Sequence, residues 1–443
     1  MQALFKARGP SRERFNHQFI ENAMGVERSE VRKFFGDDEA TSDEKDRDPR
    51  FVSNEQQYDY MLRSDRVSEL SENFAQKFTE ELEGDERLAD GRELETGVAV
   101  WLRDQMFKAS TYVFMGKRVL EVYPELTKDF WEFDRAMLPL LFGLPKFVIP
   151  QDYKLRDKAV ASMQRWQEVA WAECKGQPVD PDTVSWEPIY GSRINRARQR
   201  FLMYRGVTTK TKAASDLGMI FGLSSNAIPA SCWILMHILD PNGDQTLLPR
   251  VLAELETARG DGGIDVSTLL SLPLLQSVFQ EILRLYADVL VTRDIHSALV
   301  LPVDEGKRQI RVQNGDMVMA PSWLGHHDEG RWHNPSHDVF YAERFLKHDP
   351  DTGDDTFTLT GVAGKFFPFG GGKTMCPGRV FAKHEVFVAV AMVLLNYDIQ
   401  PLHFLDGQGK KTDKFPELAK RFAGNGIVAT EGDLKVRMKR RPS

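Results

Sequence analysis

From Leu217 to Leu239 the chain reads LGMIFGLSSNAIPASCWILMHIL, 23 residues without an Asp, Glu, Lys or Arg. Roughly 20 apolar residues are enough to cross a bilayer. The middle of this segment is Ser224-Ser225-Asn226, followed by Pro229, a polar and helix-breaking centre that lipid tolerates poorly. The segment therefore reads as a core helix passing a buried polar feature or ligand. A helix that is apolar on all faces must be covered on all sides, so the rest of the chain has to build a core around it. With 443 residues, 42% of them hydrophobic, it has the material to do so.

The other segments fit that demand. Apolar periodicity predicts helices over 62–82, 93–117, 124–144 and 152–174, one or two over 193–239, and further helices over 247–259, 273–286 and 377–397. Pro273 suits a first helical turn. Between Val289 and Met319, the runs LVTRDI, SALVLPV and QIRVQNGDMVM alternate as strands do, with Asn314-Gly315 as a hairpin turn. Residues 427–441 read as strands again, and the mixed-charge run 36–50 as a solvated loop. No repeat or linker tract divides the chain. The expected fold class is mainly α with a small β part, in a single domain over residues 1–443.

Composition excludes several functions. Lys and Arg total 58 and Asp and Glu total 65, so the net charge is −7, which argues against nucleic acid as a partner. Cys174, Cys232 and Cys376 are far apart, without zinc-ligand spacing or a disulfide framework. The start, MQALFKAR, is not a signal peptide.

The segment 366–379, FFPFGGGKTMCPGR, carries the most chemistry. Gly370, Gly371 and Gly372 permit close backbone approach and positive φ. Cys376 is followed by Pro377, Gly378 and a long apolar run, which sets the cysteine at a helix N-terminus, where the dipole and free N–H groups favour a thiolate. GGGKT is not a phosphate loop, because Phe367 stands where that motif needs glycine. A nucleophilic cysteine would need a well-placed histidine, and His384 lies one to two turns into the helix. A single axial metal ligand is the alternative.

Phe369-x-x-Gly372-x-x-x-Cys376-x-Gly378 resembles the heme-binding signature of the cytochrome P450 family, in which cysteine thiolate holds heme iron. Glu281-x-x-Arg284 and Tyr341-Ala342-Glu343-Arg344-Phe345 resemble the family's E-x-x-R and P-E-R-F segments, with Ala342 in place of proline. The resemblance implies a cytochrome P450 fold, heme (iron protoporphyrin IX) as cofactor and Cys376 as its metal ligand. Phe369, Gly370, Gly372 and Gly378 would line the heme, with Phe369 near the sulfur. Glu281, Arg284 and Arg344 would form a buried structural triad. Arg293 matches a position that reaches a heme propionate. The basic residue common two positions before the cysteine is Thr374 here, with Lys373 as its substitute.

Two departures stand out. The family's central-helix acid and threonine correspond to Ile228 and Pro229, as in the branch of cholesterol 7α-hydroxylase and prostacyclin synthase. Asn226 and Ser231 are then the expected polar groups of the distal side, with a water on the carbonyl that Pro229 frees. Ala3–Ala7 resembles the family's second helix, so an N-terminal anchor, hinge and first strands are expected to be missing. The implied activity is monooxygenation of a lipophilic small molecule (a sterol, terpenoid, fatty acid or other secondary metabolite) with O2 and electrons from NADPH-cytochrome P450 reductase. Lys365, Lys373, Arg379 and Lys383 would give that acidic partner a basic docking face. The alternatives are a heme-thiolate isomerase or dehydratase needing no reductase, and a truncated, non-catalytic heme-binding protein. The expected state is a monomer. The family's place is the cytosolic face of the endoplasmic reticulum membrane, and a chain this short without an anchor would be soluble and cytoplasmic.

Overall fold

The computed structural model of the chain describes residues 2–7, 9–35, 58–260, 263–303, 306–419 and 424–442. The charged run 36–50 lies outside them. The main helices are α1 (Ser64–Glu83), α2 (Val98–Met115), α3 (Leu126–Leu141), α4 (Pro150–Glu173), α5 (Arg193–Tyr204), α6 (Thr209–Ile238), α7 (Pro273–Tyr286) and α8 (Arg379–Asn396). The strands used below are β1 (Glu93–Gly97), β2 (Ala287–Asp294), β3 (Leu299–Val303), β4 (Arg308–Val312), β5 (Met317–Pro321), β6 (Tyr397–Leu405), β7 (Lys411–Thr412), β8 (Asn425–Ile427) and β9 (Asp433–Arg440).

The charge-free segment forms most of α6, a 30-residue helix capped by the Thr208 hydroxyl, which accepts from the Thr211 N–H. It packs against α2, α4, α7 and α8 and most of its apolar stretch is buried, so the expected core helix is what the fold contains. The second apolar helix, α8, lies against α1 and α6. Phe381 near its start meets Phe74 of α1 and Phe114 of α2 edge-on, at 6.2 and 5.1 Å between ring centroids. These contacts fix where α8 begins, and with it the cysteine loop.

Strands form small sheets beside this helical core: β1-β9-β6-β7, β8-β2-β5 and the hairpin β3-β4. Two expectations need correction. The helix expected from residue 93 starts at Val98, because 93–97 pairs with β9 as β1. Buried Asp433 of β9 accepts from the N–H groups of Ala99 and Val100 and so caps α2 there. A side chain at Gly97 would collide with that carboxylate. Asn314-Gly315 does sit in a turn, with Gly315 at φ +91°, but it joins β4 to β5, which pair with β3 and β2 and not with each other.

Candidate active site

The loop before α8 is closed by its own backbone. The Cys376 N–H donates to the Phe369 carbonyl at 3.0 Å, and Gly370 N–H to Phe367 at 3.0 Å. Gly370 and Gly372 hold φ of +73° and +66°, which favours glycine at both. Beta carbons at Gly371 and Gly372 would also press into Phe5, so these glycines let the helix Gln2–Lys6 lie on the loop. Helix α8 starts at Arg379, two residues later than expected, leaving Pro377 in the turn that precedes it. Cys376 faces a cavity of about 520 Å³. Phe369, Gly370, Gly371, Gly378 and Arg293 line it from the loop and strand side, and Asn226 from α6.

Burial pushes the Cys376 thiol up, against the Gly378 N–H and the charges of Arg379 and Arg12, which pull it down. The expected helix-end stabilisation is present, but desolvation outweighs it. A bound metal cation would reverse the balance, since a coordinating thiol is deprotonated outright.

Glu281, Arg284 and Arg344 come together with both Glu281 and Arg284 fully buried. Arg284 donates to Glu281 through Nε at 2.7 Å and Nη2 at 2.8 Å, and Arg344 Nε lies 2.9 Å from both carboxylate oxygens. The cluster reaches the cysteine loop through a residue that the sequence did not single out, His326. Arg284 Nη1 donates to the His326 carbonyl at 3.1 Å, and His326 Nε2 accepts from the Phe367 N–H at 3.1 Å. Burial holds the His326 ring at a pKa of about 3, so it stays neutral and keeps that acceptor.

On the opposite wall, α6 presents Gly222, Asn226, Ala227 and Ala230 to the cavity. Asn226 Oδ1 accepts from the Ile427 N–H of β8 at 2.9 Å. Ser231 is not there: its hydroxyl donates to the Ala227 carbonyl at 3.0 Å and it is fully buried, outside the cavity wall. Ile228 and Pro229 line a second cavity, of about 370 Å³.

The family model for cytochrome P450 matches residues 47–421. The chain belongs to the cytochrome P450 family. It is 32% identical to the cytochrome P450 monooxygenase calL of Penicillium decumbens over 96% of this chain and 79% of the relative. It is 30% identical to the cytochrome P450 monooxygenase efuG of Hormonema carpetanum, over 96% and 77%. A more distant match, 24% over 70% of this chain and 59% of the relative, is cytochrome P450 7A1 of Oryctolagus cuniculus, in keeping with the branch suggested by Ile228 and Pro229.

Cytochromes P450 are heme-thiolate proteins, and the cavity fits that group. Arg293 Nη2 donates to the Gly371 carbonyl at 2.6 Å. Ser11 and Asp294 exchange backbone hydrogen bonds at 3.1 and 2.9 Å, which brings the next residues along, Arg12 and Arg293, side by side. Both line the cavity, and Arg12 Nε is buried with no partner. Burial lowers the pKa of each, and Arg293 lowers Arg12 further. Among the described residues no carboxylate pairs with either. Two cations without a carboxylate, Arg293 buried and Arg12 half-buried, beside a cysteine loop suit the two propionates of a porphyrin. Lys373, expected in this role, is exposed and outside the cavity wall. Arg12 was not singled out in the sequence, since nothing local marks a segment 281 positions away as the neighbour of Arg293.

Glu385 was also missed. It is the one acid in α8, fully buried on the cavity wall, and takes a hydrogen bond from the Ser110 hydroxyl. Burial raises its pKa to about 8, so it is a neutral acid at pH 7.

Proposed function

We propose that this cytochrome P450 inserts one oxygen atom of O2 into a lipophilic small molecule, with electrons from NADPH delivered by a flavin reductase at the cytosolic face of the endoplasmic reticulum membrane. The observation that carries this reading is the shared cavity, with Cys376 and two unpaired arginines at one wall and the α6 face at the other. Heme, when bound, supplies the oxygen activation. Cys376 would hold its iron, and Arg12 and Arg293 its propionates. The Glu281–Arg284–Arg344 cluster, through His326, would hold the cysteine loop in place. Phe19, Met219, Leu223 and Leu290 give the substrate side an apolar wall that excludes water and suits a lipophilic molecule. Asn226, held by β8, is a polar group on that wall. Within the basic face expected for the reductase, Lys373 is exposed, whereas Lys383 donates inward to the Leu270 carbonyl and Gln276 at 3.1 and 2.8 Å. The relatives calL and efuG are both cytochrome P450 monooxygenases, which supports this reading.

The placement of Ile228 and Pro229 favours a second reading, a reductase-independent isomerase or dehydratase. A substrate screen with labelled O2, with and without NADPH and reductase, separates the two. Label in product only with reductants supports monooxygenation. Rearranged, unlabelled product formed without reductant supports the isomerase.

A further inference from the structure

We propose that Asp134 of α3 and Ser225 of α6 carry protons across α6 from the second cavity to the reaction cavity, in place of the acid and threonine that positions 228 and 229 lack. This rests on the monooxygenase reading, because oxygen insertion consumes protons at the reaction cavity and isomerisation does not.

Helix α6 separates the two spaces. Asn226, Ala227 and Ala230 face the reaction cavity, and Ile228, Pro229 and Cys232 face the second. The second cavity reaches the surface at exposed Arg135 and at the exposed turn that contains Asp406, Gly407 and Gly409. On its wall the carboxylate of Asp134, itself only 6% exposed, accepts from the Ser225 hydroxyl at 2.6 Å. Ser225 directly precedes Asn226 and lies four residues before Pro229. Proline has no N–H, so the Ser225 carbonyl lacks its usual helical donor and offers a seat for a water. One carboxyl, one hydroxyl and one freed carbonyl thus lie at the point where α6 is thinnest in backbone hydrogen bonds.

The other charged groups on that wall are Arg103, Arg135, Asp406, Glu431 and Asp433. Asp433 is committed to the N–H groups of Ala99, Val100 and Leu434. Asp406 accepts from the backbone of Gln408 and Lys410. In the step, Asp134 in its acid form gives a proton to Ser225 Oγ while the Ser225 hydrogen passes to water beside Asn226. One proton crosses, no electron moves, and the Asp134 carboxylate is re-protonated from water in the second cavity. Asp134 and Ser225 are positioning residues for that water, not groups that touch substrate.

The test uses holoenzyme with reductase and NADPH in three variants, Asp134→Asn, Ser225→Ala and Asp134→Glu. The readouts are the fraction of consumed O2 released as peroxide and the solvent deuterium isotope effect on O2 uptake. The first two variants should raise the peroxide fraction severalfold and change the isotope effect, with the Glu variant restoring wild-type values. A turnover-independent readout is the infrared carboxyl band that Asp134→Asn removes, which Ser225→Ala should shift. Unaltered heme spectra establish that the variants compared are folded, and if Asp134→Asn does not fold, Ser225→Ala carries the test. Wild-type peroxide fractions and an unshifted band would overturn the relay. A wild-type holoenzyme that takes no electrons from NADPH and reductase would overturn instead the monooxygenase reading beneath it.

Discussion

The two walls of the reaction cavity are built in opposite ways. On the cysteine side the groups that hold the loop are committed to one another, while Arg12 and Arg293 stand without a carboxylate: Glu281 holds two arginines, Arg284 reaches His326, and His326 holds the backbone of the loop. On the α6 side the wall is glycine, alanine and apolar Met219 and Leu223, with Ser215 and Asn226 as polar groups, and Asn226 holds β8. A wall dense in mutually satisfied buried charges is rigid and intolerant of single changes. A largely apolar wall with several small residues leaves room for a range of substrates. Mutations should therefore act mainly on assembly on one side and mainly on chemistry on the other.

The largest effect should come from Glu281→Ala. Removing one partner of a buried charge cluster costs about 3–5 kcal/mol, because two arginines lose their counter-charge. Heme absorbance per protein and chemical denaturation should show little folded holoprotein. Normal heme content would mean that the triad is not what holds the loop.

Glu385 supplies a pH test of the same wall. Its pKa is raised to about 8 in the fold, above its ordinary value of 4.5. The unfolded chain therefore loses this proton first as pH rises. The contribution to stability is fully present below pH 4.5, declines through the interval from 4.5 to about 8, and is lost above it, at no more than about 1.4 kcal/mol per pH unit. Glu385→Gln should flatten that decline in denaturation measured across pH. An unchanged slope in the variant would assign the decline to other groups.

Arg12→Ala comes next. A hydrogen bond to a charged group is worth about 1.5–3 kcal/mol, so heme affinity should fall by roughly 10- to 100-fold. The heme-free protein should be no less stable, since Arg12 Nε is buried there without a partner. Lys373→Ala should leave heme affinity unchanged. The reverse pattern in a heme titration would return the propionate role to Lys373.

The α6 variants come last. Asn226→Leu removes the acceptor of the Ile427 N–H, a loss of about 1–3 kcal/mol. Its turnover should slow with more peroxide released, whereas Ser231→Ala, outside the cavity, should leave both unchanged. Equal peroxide from the two variants would erase the distinction between those faces of the helix.

The same contrast explains what could be read from sequence. The Cys376 loop and Glu281-x-x-Arg284 are local: glycines at fixed offsets and a three-residue helical spacing dictate their geometry wherever the chain carries them. The charge-free run calls for a core helix, and most of α6 is buried as one. Facing direction was harder. Successive residues on a helix rotate by about 100°, so Ile228 points about 200° away from Asn226, and a motif counted in residues can land on the wrong wall. Ser231 was misjudged for that reason. Arg12 and His326 were invisible for another: each acts through a backbone hydrogen bond to a partner far along the chain, Ser11 to Asp294 and His326 to Phe367, and pattern reading has no access to such pairs. The β1 segment ELETG was lost to helix because its fate depends on Asp433, which caps α2 from the far end of the sequence.

The central claim is that Cys376 is the thiolate ligand of a heme, and the carbon-monoxide difference spectrum of the reduced protein tests it most directly. Wild type, Cys174→Ala and Cys232→Ala should each give the band typical of thiolate-bound heme, and Cys376→Ala should lose it. A Cys376→Ala variant that keeps the wild-type band would contradict the account.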